Sequence, residues 1–297
     1  MILLYETIDL INFKYLKTLA LEEGCGTMLE CPSLLEDNNQ SVLIISPQNL
    51  PKKGHEFDNI SSSIYQVSHT DYLEKDIKLD NIQEIDHGCE YYAPLVFKDD
   101  KRQLMIAWNY MWGRRYIHQD YHLDWCGNLT IPREIKLVDG KLQSKPIHEV
   151  NELLENQTHR KIDLLPDNTV TLVDNLKLFR LFIEYDDIKD LILTINFISD
   201  KGECAKVTLD YVTNIITFNR STIKEQLHGI ESNDTKNGIR KCKLIDGNID
   251  ILFDEHILEM FFNKYFDSMT NLLCMNLSRV EINSNKNISL NAELRTK

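Results

Sequence analysis

Positive charge is what this 297-residue sequence is short of: 33 Lys and Arg stand against 46 Asp and Glu, a formal net charge of -13. Unassisted binding to nucleic acid or to an anionic membrane needs clustered cations, so neither partner is expected and a neutral substrate fits. The seven cysteines are scattered, with no Cys-x-x-Cys pair and no group at metal-ligand spacing. An odd number of dispersed cysteines describes free thiols in a reducing compartment, and no metal is expected. No apolar run approaches the length of a membrane-crossing helix, about 20 residues. The opening MILLYETIDLINF carries neither the basic lead nor the cleavage site of a secretory signal. A cytoplasmic location is the expectation. What is left is an ordinary globular composition, 42% apolar and 27% charged, long enough for two domains.

The patterning is that of strands and turns. Residues 2–5 read as a short strand, followed by a polar turn and a second apolar run at 13–21. Residues 41–46 form an apolar strand closed by Pro47, and residues 62–68 alternate at period two as a half-buried strand does. Residues 93–97 and 103–108 are strands joined by the tight charged turn Lys98-Asp99-Asp100-Lys101, a hairpin. Alternation from Arg133 to Leu137 runs to an Asp139-Gly140 turn. Many short strands at this spacing indicate a sandwich, barrel or propeller, and the hairpins with aromatic-rich loops favour a propeller. Pro146 with Ile147, Val150, Leu153 and Leu154 spaces a short helix at a joint. Strands then recur at 170–172, 177–185, 191–198, 205–211, 215–218 and 243–253, which fits a β-sandwich. Residues 258–266 read as strand plus turn or as a short helix.

Chemistry concentrates in three loop segments of the first half. In Leu29-Glu30-Cys31-Pro32 a carboxylate sits among apolar residues. Either it ends an edge strand, hydrogen-bonded or wet, or it faces a cleft. Desolvation in a cleft raises the pKa of a carboxyl group and lets it hold the proton a general acid needs. The second segment, residues 86–94, places Asp86, His87, Glu90, Tyr91 and Tyr92 just before a strand. Glu90 reads as a second site carboxylate or as a charged turn residue beside Gly88, and His87 as a ligand contact or a loop cap. The third holds all three tryptophans, between Trp108 and Trp125. Aromatic faces stack on the C–H faces of sugar rings while Asp, Glu, Asn and Arg bond hydroxyls, so the mixture suits a carbohydrate cleft; indoles packing between sheets are the structural alternative.

Several of these stretches are specific in spelling and order. GTMLECPSLL (26–35), DHGCEYYAPLVF (86–97), LMIAWNYMW (104–112) and WCGNLTIPREIKL (125–137) resemble segments of glycoside hydrolase family 32, the β-fructofuranosidases that include invertases, sucrose-6-phosphate hydrolases, levanases and inulinases. LLYETIDLINFKYL (3–16) is similar to the family's strand-turn segment ahead of the acid/base motif, and LIDGNIDILFDEHILEMFFN (244–263) more weakly to its C-terminal sandwich. The resemblance implies an all-β chain: a partial five-bladed β-propeller lacking its N-terminal blades over residues 1–145, a linker with a short helix at 146–160, and a β-sandwich at 161–297. It implies that Glu30 is the general acid/base and that Cys31, Tyr92 and Trp108 line the substrate pocket. Arg114, Arg115 and His118 are the cationic candidates for a phosphorylated sugar, with a solvated basic turn as the other reading. Asn219-Arg220-Ser221 resembles a turn of the family's sandwich, with a structural role. No cofactor is implied.

The sequence also departs from that family. Its Asn-Asp-Pro segment, which carries the nucleophilic Asp, and its Arg-Asp-Pro segment have no counterpart: the sole Asn-Asp pair is Asn233-Asp234. Retaining hydrolysis needs two carboxylates roughly 5 Å apart, and Asp86, Glu90 or Asp124 are the local substitutes. The resemblance therefore implies a hydrolase of terminal β-D-fructofuranosyl bonds in sucrose, sucrose 6-phosphate or short fructans, of which this chain alone is an inactive fragment. The propeller would be completed by a missing N-terminal segment or a separate chain. The alternative is a non-catalytic carbohydrate-binding or structural protein derived from the same fold.

Overall fold

A computed structural model describes residues 1–20, 25–37, 40–68, 78–114, 127–166, 168–223 and 238–297. Strands β1 (Ile2–Glu6) and β2 (Lys14–Ala20) form an antiparallel hairpin. A four-stranded antiparallel sheet follows, made in chain order of β3 (Met28–Asp37), β4 (Gln40–Gln48), β5 (Ile64–Ser68) and β6 (Gln83–Glu84). The next sheet repeats that pattern with β7 (Tyr92–Lys98), β8 (Gln103–Trp108), β9 (Arg133–Val138) and β10 (Lys141–Pro146). The turn from β9 to β10 has positive φ at Asp139 (49°) and Gly140 (75°), as a two-residue hairpin loop requires.

Strand β4 explains how these sheets stack. Its residues from Ser41 to Pro47 are all buried, an unbroken run where a half-exposed strand would alternate. Leu43 and Ile45 pack with Ile2, Leu19 and Ala20 of the hairpin. Val42 and Ile44 turn the other way, toward Met105, Ala107 and Ile135 of the β7–β10 sheet. Both faces are covered, so both are apolar.

Helix α1 (Val150–Leu153) is a single turn, shorter than the Pro146 signal suggests because Pro146 ends β10. It leads into β11 (Asn156–Leu164), β12 (Thr169–Asp174), β13 (Leu178–Glu184), β14 (Ile192–Ser199), β15 (Cys204–Asp210), β16 (Ile215–Asn219) and β17 (Ile239–Lys243). The chain ends in β18 (Ile249–Asp254), β19 (Ile257–Phe262), β20 (Asp267–Leu272), β21 (Leu277–Ser284) and β22 (Ile288–Thr296). One six-stranded sheet has the order β11-β22-β13-β18-β19-β20, the other β12-β21-β14-β15-β16-β17. Phe179, Leu181 and Ile183 from the first meet Leu193, Ile195, Phe197, Val207 and Leu209 from the second in one core. Each such side chain contributes about 1.5–3 kcal/mol when fully buried. Of the 243–253 stretch only residues 249–253 belong to β18; Lys243 ends β17, and the connection between them holds Gly247, which lies against the Tyr185 carbonyl where a Cβ has no room. Residues 258–266 resolve into the end of β19 and a 3-10 turn at Asn263–Tyr265. Among the described residues no helix is long and apolar enough to cross a membrane, and the sheets do not close into a ring or barrel.

The first sheets dock on the sandwich through buried charge. The Arg133 guanidinium donates to Asp86 (3.2 Å), Glu259 (2.7 Å), Thr270 Oγ1 (2.6 Å) and Ser268 Oγ (3.0 Å). It lies between the rings of Tyr91 and Phe261, 4.6 and 4.8 Å from their centroids. A buried cation needs this enclosure of acceptors and ring faces, and its partners hold Arg133 protonated against the opposing effect of burial.

Candidate active site

Glu30 and Tyr92 occupy equivalent places in successive sheets. In β3 the pairing with β4 passes from Glu30–Ser46 to Ser33–Ile44, and in β7 the pairing with β8 passes from Tyr92–Trp108 to Leu95–Ile106. Each first strand thus carries one extra residue, a β-bulge. The residue after each key side chain has positive φ, 49° at Cys31 and 50° at Ala93. A proline follows both times. Proline brings no N–H to the ladder and disfavours right-handed helical backbone at the residue before it. Glu-Cys-Pro and Tyr-Ala-Pro are therefore the same backbone device, and β3 and β4 adjoin β7.

The device brings the two side chains together. Tyr92 donates its hydroxyl to Glu30 Oε2 at 2.5 Å, and the Gln48 side-chain amide donates to the same oxygen at 3.0 Å. Burial, and then the facing Glu30 carboxylate, push the Tyr92 hydroxyl well above the ordinary tyrosine range, so it stays a donor at neutral pH. Glu30 is half-buried, at the mouth of the two sheets. Ser46, opposite Glu30 in the ladder, has a buried Oγ with no partner among the described residues. Cys31 is exposed, and its thiol is raised by partial desolvation and by Glu30, which disfavours a reactive thiolate.

Trp108, the ladder partner of Tyr92, stands beside this pair. Its ring meets Trp112 edge-on at 5.1 Å and Tyr110 at 5.6 Å, and Trp112 is 53% exposed. The structure thus joins Glu30 to Tyr92 and to Gln48, a member that sequence reasoning missed and whose only local sign was its place at the end of the 41–46 apolar strand, after Pro47; Trp108 adjoins Tyr92 in the ladder, while its side chain packs with Tyr110 and Leu272.

The other expected groups lie elsewhere. Arg114 is not an open phosphate ligand: its side chain is fully buried and donates to Glu90 at 2.8 Å and to Asn59 at 3.2 Å. Arg115, His118, Asp124 and Trp125 fall outside the described residues. Asp86 and Glu90 are poor substitutes for a nucleophile. Asp86 accepts from Arg133, Ser268, Thr270 and Gly88. Glu90 is fully buried and holds Arg220 through both carboxylate oxygens (2.6 and 2.8 Å), Arg114, and the Leu272 N–H (2.7 Å). Burial alone raises a carboxyl pKa, but Arg220 and Arg114 outweigh it and hold Glu90 below the usual carboxylate range. His87 is a cross-link between sheets, with Nδ1 at 2.8 Å from Glu84 and Nε2 at 3.0 Å from Asp267.

Residues 1–146 match the N-terminal domain of glycosyl hydrolases family 32, and the stretch includes the whole Glu30–Tyr92–Trp108 group. The chain belongs to the family 32 glycoside hydrolase superfamily. Among the relatives of this family 32 chain, the sucrose-6-phosphate hydrolase of Streptococcus mutans is 30% identical over 240 residues, 80% of this chain and 47% of that protein. The sucrose-6-phosphate hydrolase of Bacillus subtilis is 31% identical over 141 residues, 47% of this chain and 29% of that protein. The chain spans about half the length, or less, of the curated relatives it matches. Its fold is that of a Bombyx mori family 32 β-fructofuranosidase, with a TM-score of 0.81 at 21% identity over 99% of this chain and 60% of that one. A sucrose-6-phosphate hydrolase from Lactobacillus gasseri superposes with a TM-score of 0.79 at 20% identity, over 98% and 59% of the two chains. The antiparallel sheets of this family 32 chain therefore resemble part of the family's propeller-plus-sandwich architecture.

Proposed function

We propose that this chain carries the proton-transfer half of a site that hydrolyses terminal β-D-fructofuranosyl bonds in a small sugar, sucrose or sucrose 6-phosphate. On this reading the β3–β6 and β7–β10 sheets are blades of a five-bladed propeller, and the protein works in the cytoplasm, as its scattered thiols suggest. The observation that carries the proposal is the pair of donors on one oxygen of Glu30. With Oε2 accepting from both Tyr92 and Gln48, a proton on the carboxyl group resides on Oε1. That oxygen is the one available to protonate a leaving group and afterwards to take a proton from water. Trp108 and Trp112 offer apolar ring surface on which a sugar face stacks.

Double displacement needs a second carboxylate, roughly 5 Å from the first, to attack the anomeric carbon. Asp86 and Glu90 are held in buried ion pairs and Asp124 lies outside the described residues; on this reading the attacking group belongs to a segment of the family type absent from these 297 residues. That same observation supports a second reading, a sugar-binding protein without catalysis. Release of fructose from sucrose and from sucrose 6-phosphate, with wild type and Glu30→Gln compared, separates the two. Hydrolysis that survives Glu30→Gln overturns the assignment of Glu30, and sugar binding without any hydrolysis, even when the attacking segment is supplied, favours the binding protein.

A further inference from the structure

A cavity of about 190 Å³ lies beside α1 on the outer face of the first six-stranded sheet, lined by Asn151, Arg180, Phe182, Tyr265, Glu293 and Arg295. Strand alternation sets its floor. Phe179, Leu181 and Ile183 point into the sandwich core, so Arg180 and Phe182 between them point out of it. Helix α1 is held against the same face by Val150 and Leu154, which pack with Leu252 and Phe261. It thereby carries Asn151 to Arg180, whose Nη1 donates to Asn151 Oδ1 at 2.8 Å.

Tyr265 closes another side. It comes from a turn in which Asn263, Lys264 and Tyr265 have φ of 50°, 57° and 69°. Three successive non-glycine residues in the left-handed region are rare, and such backbone persists only where its surroundings fix it. The Asn263 side chain does so: Oδ1 accepts the Ile245 N–H at 2.8 Å, and Nδ2 donates to the Lys243 carbonyl at 2.8 Å and to Asp267 at 2.6 Å. Tyr265 is then placed to donate its hydroxyl to Asp250 at 3.1 Å.

In a chain of net charge -13, two guanidinium groups stand directly opposite each other in this ladder, Arg180 on β13 and Arg295 on β22. Like charges so placed repel. Asp250 takes Arg180 through both carboxylate oxygens, at 3.0 and 2.6 Å, but Glu293 takes only Nε of Arg295, at 2.6 Å. Nη1 and Nη2 of Arg295 and Nδ2 of Asn151 have no acceptor among the described residues, which leaves a fork of donors facing the cavity. Phe182 is partly buried yet belongs to none of the apolar clusters among the described residues. It offers a ring face, and Glu293 Oε2 an acceptor for hydroxyl groups.

We propose that this cavity binds a phosphorylated monosaccharide, its phosphate on the Arg295 fork and Asn151 and its ring against Phe182 and Tyr265. The volume is below the roughly 300–1,000 Å³ of sites for drug-sized ligands, so it takes one sugar ring and not a chain. Guanidinium groups meeting from two adjacent strands suit a tetrahedral dianion, where a single fork serves a planar carboxylate. None of the elements that build the cavity contributes to the Glu30–Tyr92 pair, so the site stands whether or not Glu30 serves a hydrolase.

The test titrates glucose 6-phosphate, glucose, glucuronate and inorganic phosphate into the full chain by calorimetry, with amide exchange followed over residues 150–153. Glucose 6-phosphate is expected to bind more tightly than the other three and to slow those amides. Arg295→Gln should weaken it at least roughly tenfold, while Glu30→Gln binds it as wild type. If Arg295→Gln fails to fold, Asn151→Asp, which sets a carboxylate against the phosphate from the short α1 turn, should give the same loss. A chain that binds none of the four overturns the inference, as does an affinity indifferent to these cavity substitutions or abolished by Glu30→Gln. Glucuronate bound as tightly as glucose 6-phosphate overturns the assignment to phosphate, and inorganic phosphate bound as tightly overturns the assignment to a sugar.

Discussion

Glu90→Ala tests how the two halves of the protein are held together. The carboxylate has no exposure and joins Arg114, at 2.8 Å, to Arg220, at 2.6 Å and 130 residues along the chain from Glu90. Its other oxygen accepts the Leu272 N–H at 2.7 Å. Removing it leaves buried guanidinium groups without their counter-charge, which costs about 3–5 kcal/mol when one partner of a buried pair is deleted. For a protein of this size that corresponds to a melting temperature lower by roughly 10 °C. The assay is thermal and urea unfolding of wild type, Glu90→Ala, Arg220→Met and the double variant. Because the second substitution removes a charge already orphaned by the first, the double variant should lose clearly less than the sum of the two single losses. A second check uses pH. Glu90 has a folded pKa below the ordinary 4.5, so its contribution is present above that value and is lost as pH falls through the lowered one. The gap between wild type and Glu90→Gln should therefore close in acid. A Glu90→Ala melting point within roughly 2 °C of wild type, or additive losses, would refute the argument that this ion group holds the halves together.

Three further outcomes are expected. The two carboxylates facing His87, with the Asp267 bond the larger influence, raise its pKa well above 6.5 despite burial; its stabilisation is complete below 6.5 and lost as pH rises through the raised value. Unfolding free energies from urea titrations of wild type and His87→Asn should accordingly differ by about 2–4 kcal/mol near neutrality and converge in alkali, and a constant gap would show that the imidazolium is not the source. Gly88→Ala places a Cβ against the backbone of Thr270, so a loss of at least about 2 kcal/mol in unfolding free energy is expected; an unperturbed melt would mean that the 86–90 segment does not lie along β20 as described. Glu30→Gln removes the carboxylate that faces the Tyr92 hydroxyl, so the Tyr92 titration followed by carbon-13 NMR should move down toward its ordinary value of 10, while an unmoved titration would break the Glu30–Tyr92 link.

The sequence was most readable where local pattern decides structure. Alternation at residues 177–185 and 191–198 became β13 and β14, and the 98–101 turn became the β7–β8 hairpin. Glu-Cys-Pro and Tyr-Ala-Pro were legible as motifs, although nothing in their spelling shows that they are the same bulge. Strand β11 is not legible from local pattern because its first six residues, from Asn156 to Lys161, are all exposed and polar, so the last five residues of the expected 146–160 linker are strand. What local pattern could not show was long-range charge pairing. Arg220 sat in a turn with an expected structural role and Arg133 in an alternating strand, yet each meets partners more than 120 residues away. Asp86 and Glu90, candidates for catalysis by type, belong to that buried set because they are zipped along β20 by the His87 and Glu90 amides.

The paired kinks at Cys31-Pro32 and Ala93-Pro94 have a consequence for redesign. The same main-chain kink aims positions 30 and 92 at each other, so the two adjoining modules present their key side chains alike, the first half-buried and the second buried. Exchanging Glu30 with Tyr92 would move the carboxylate over by one module while both ladders kept their register, a transplant that a carboxylate mounted on an irregular loop would not survive.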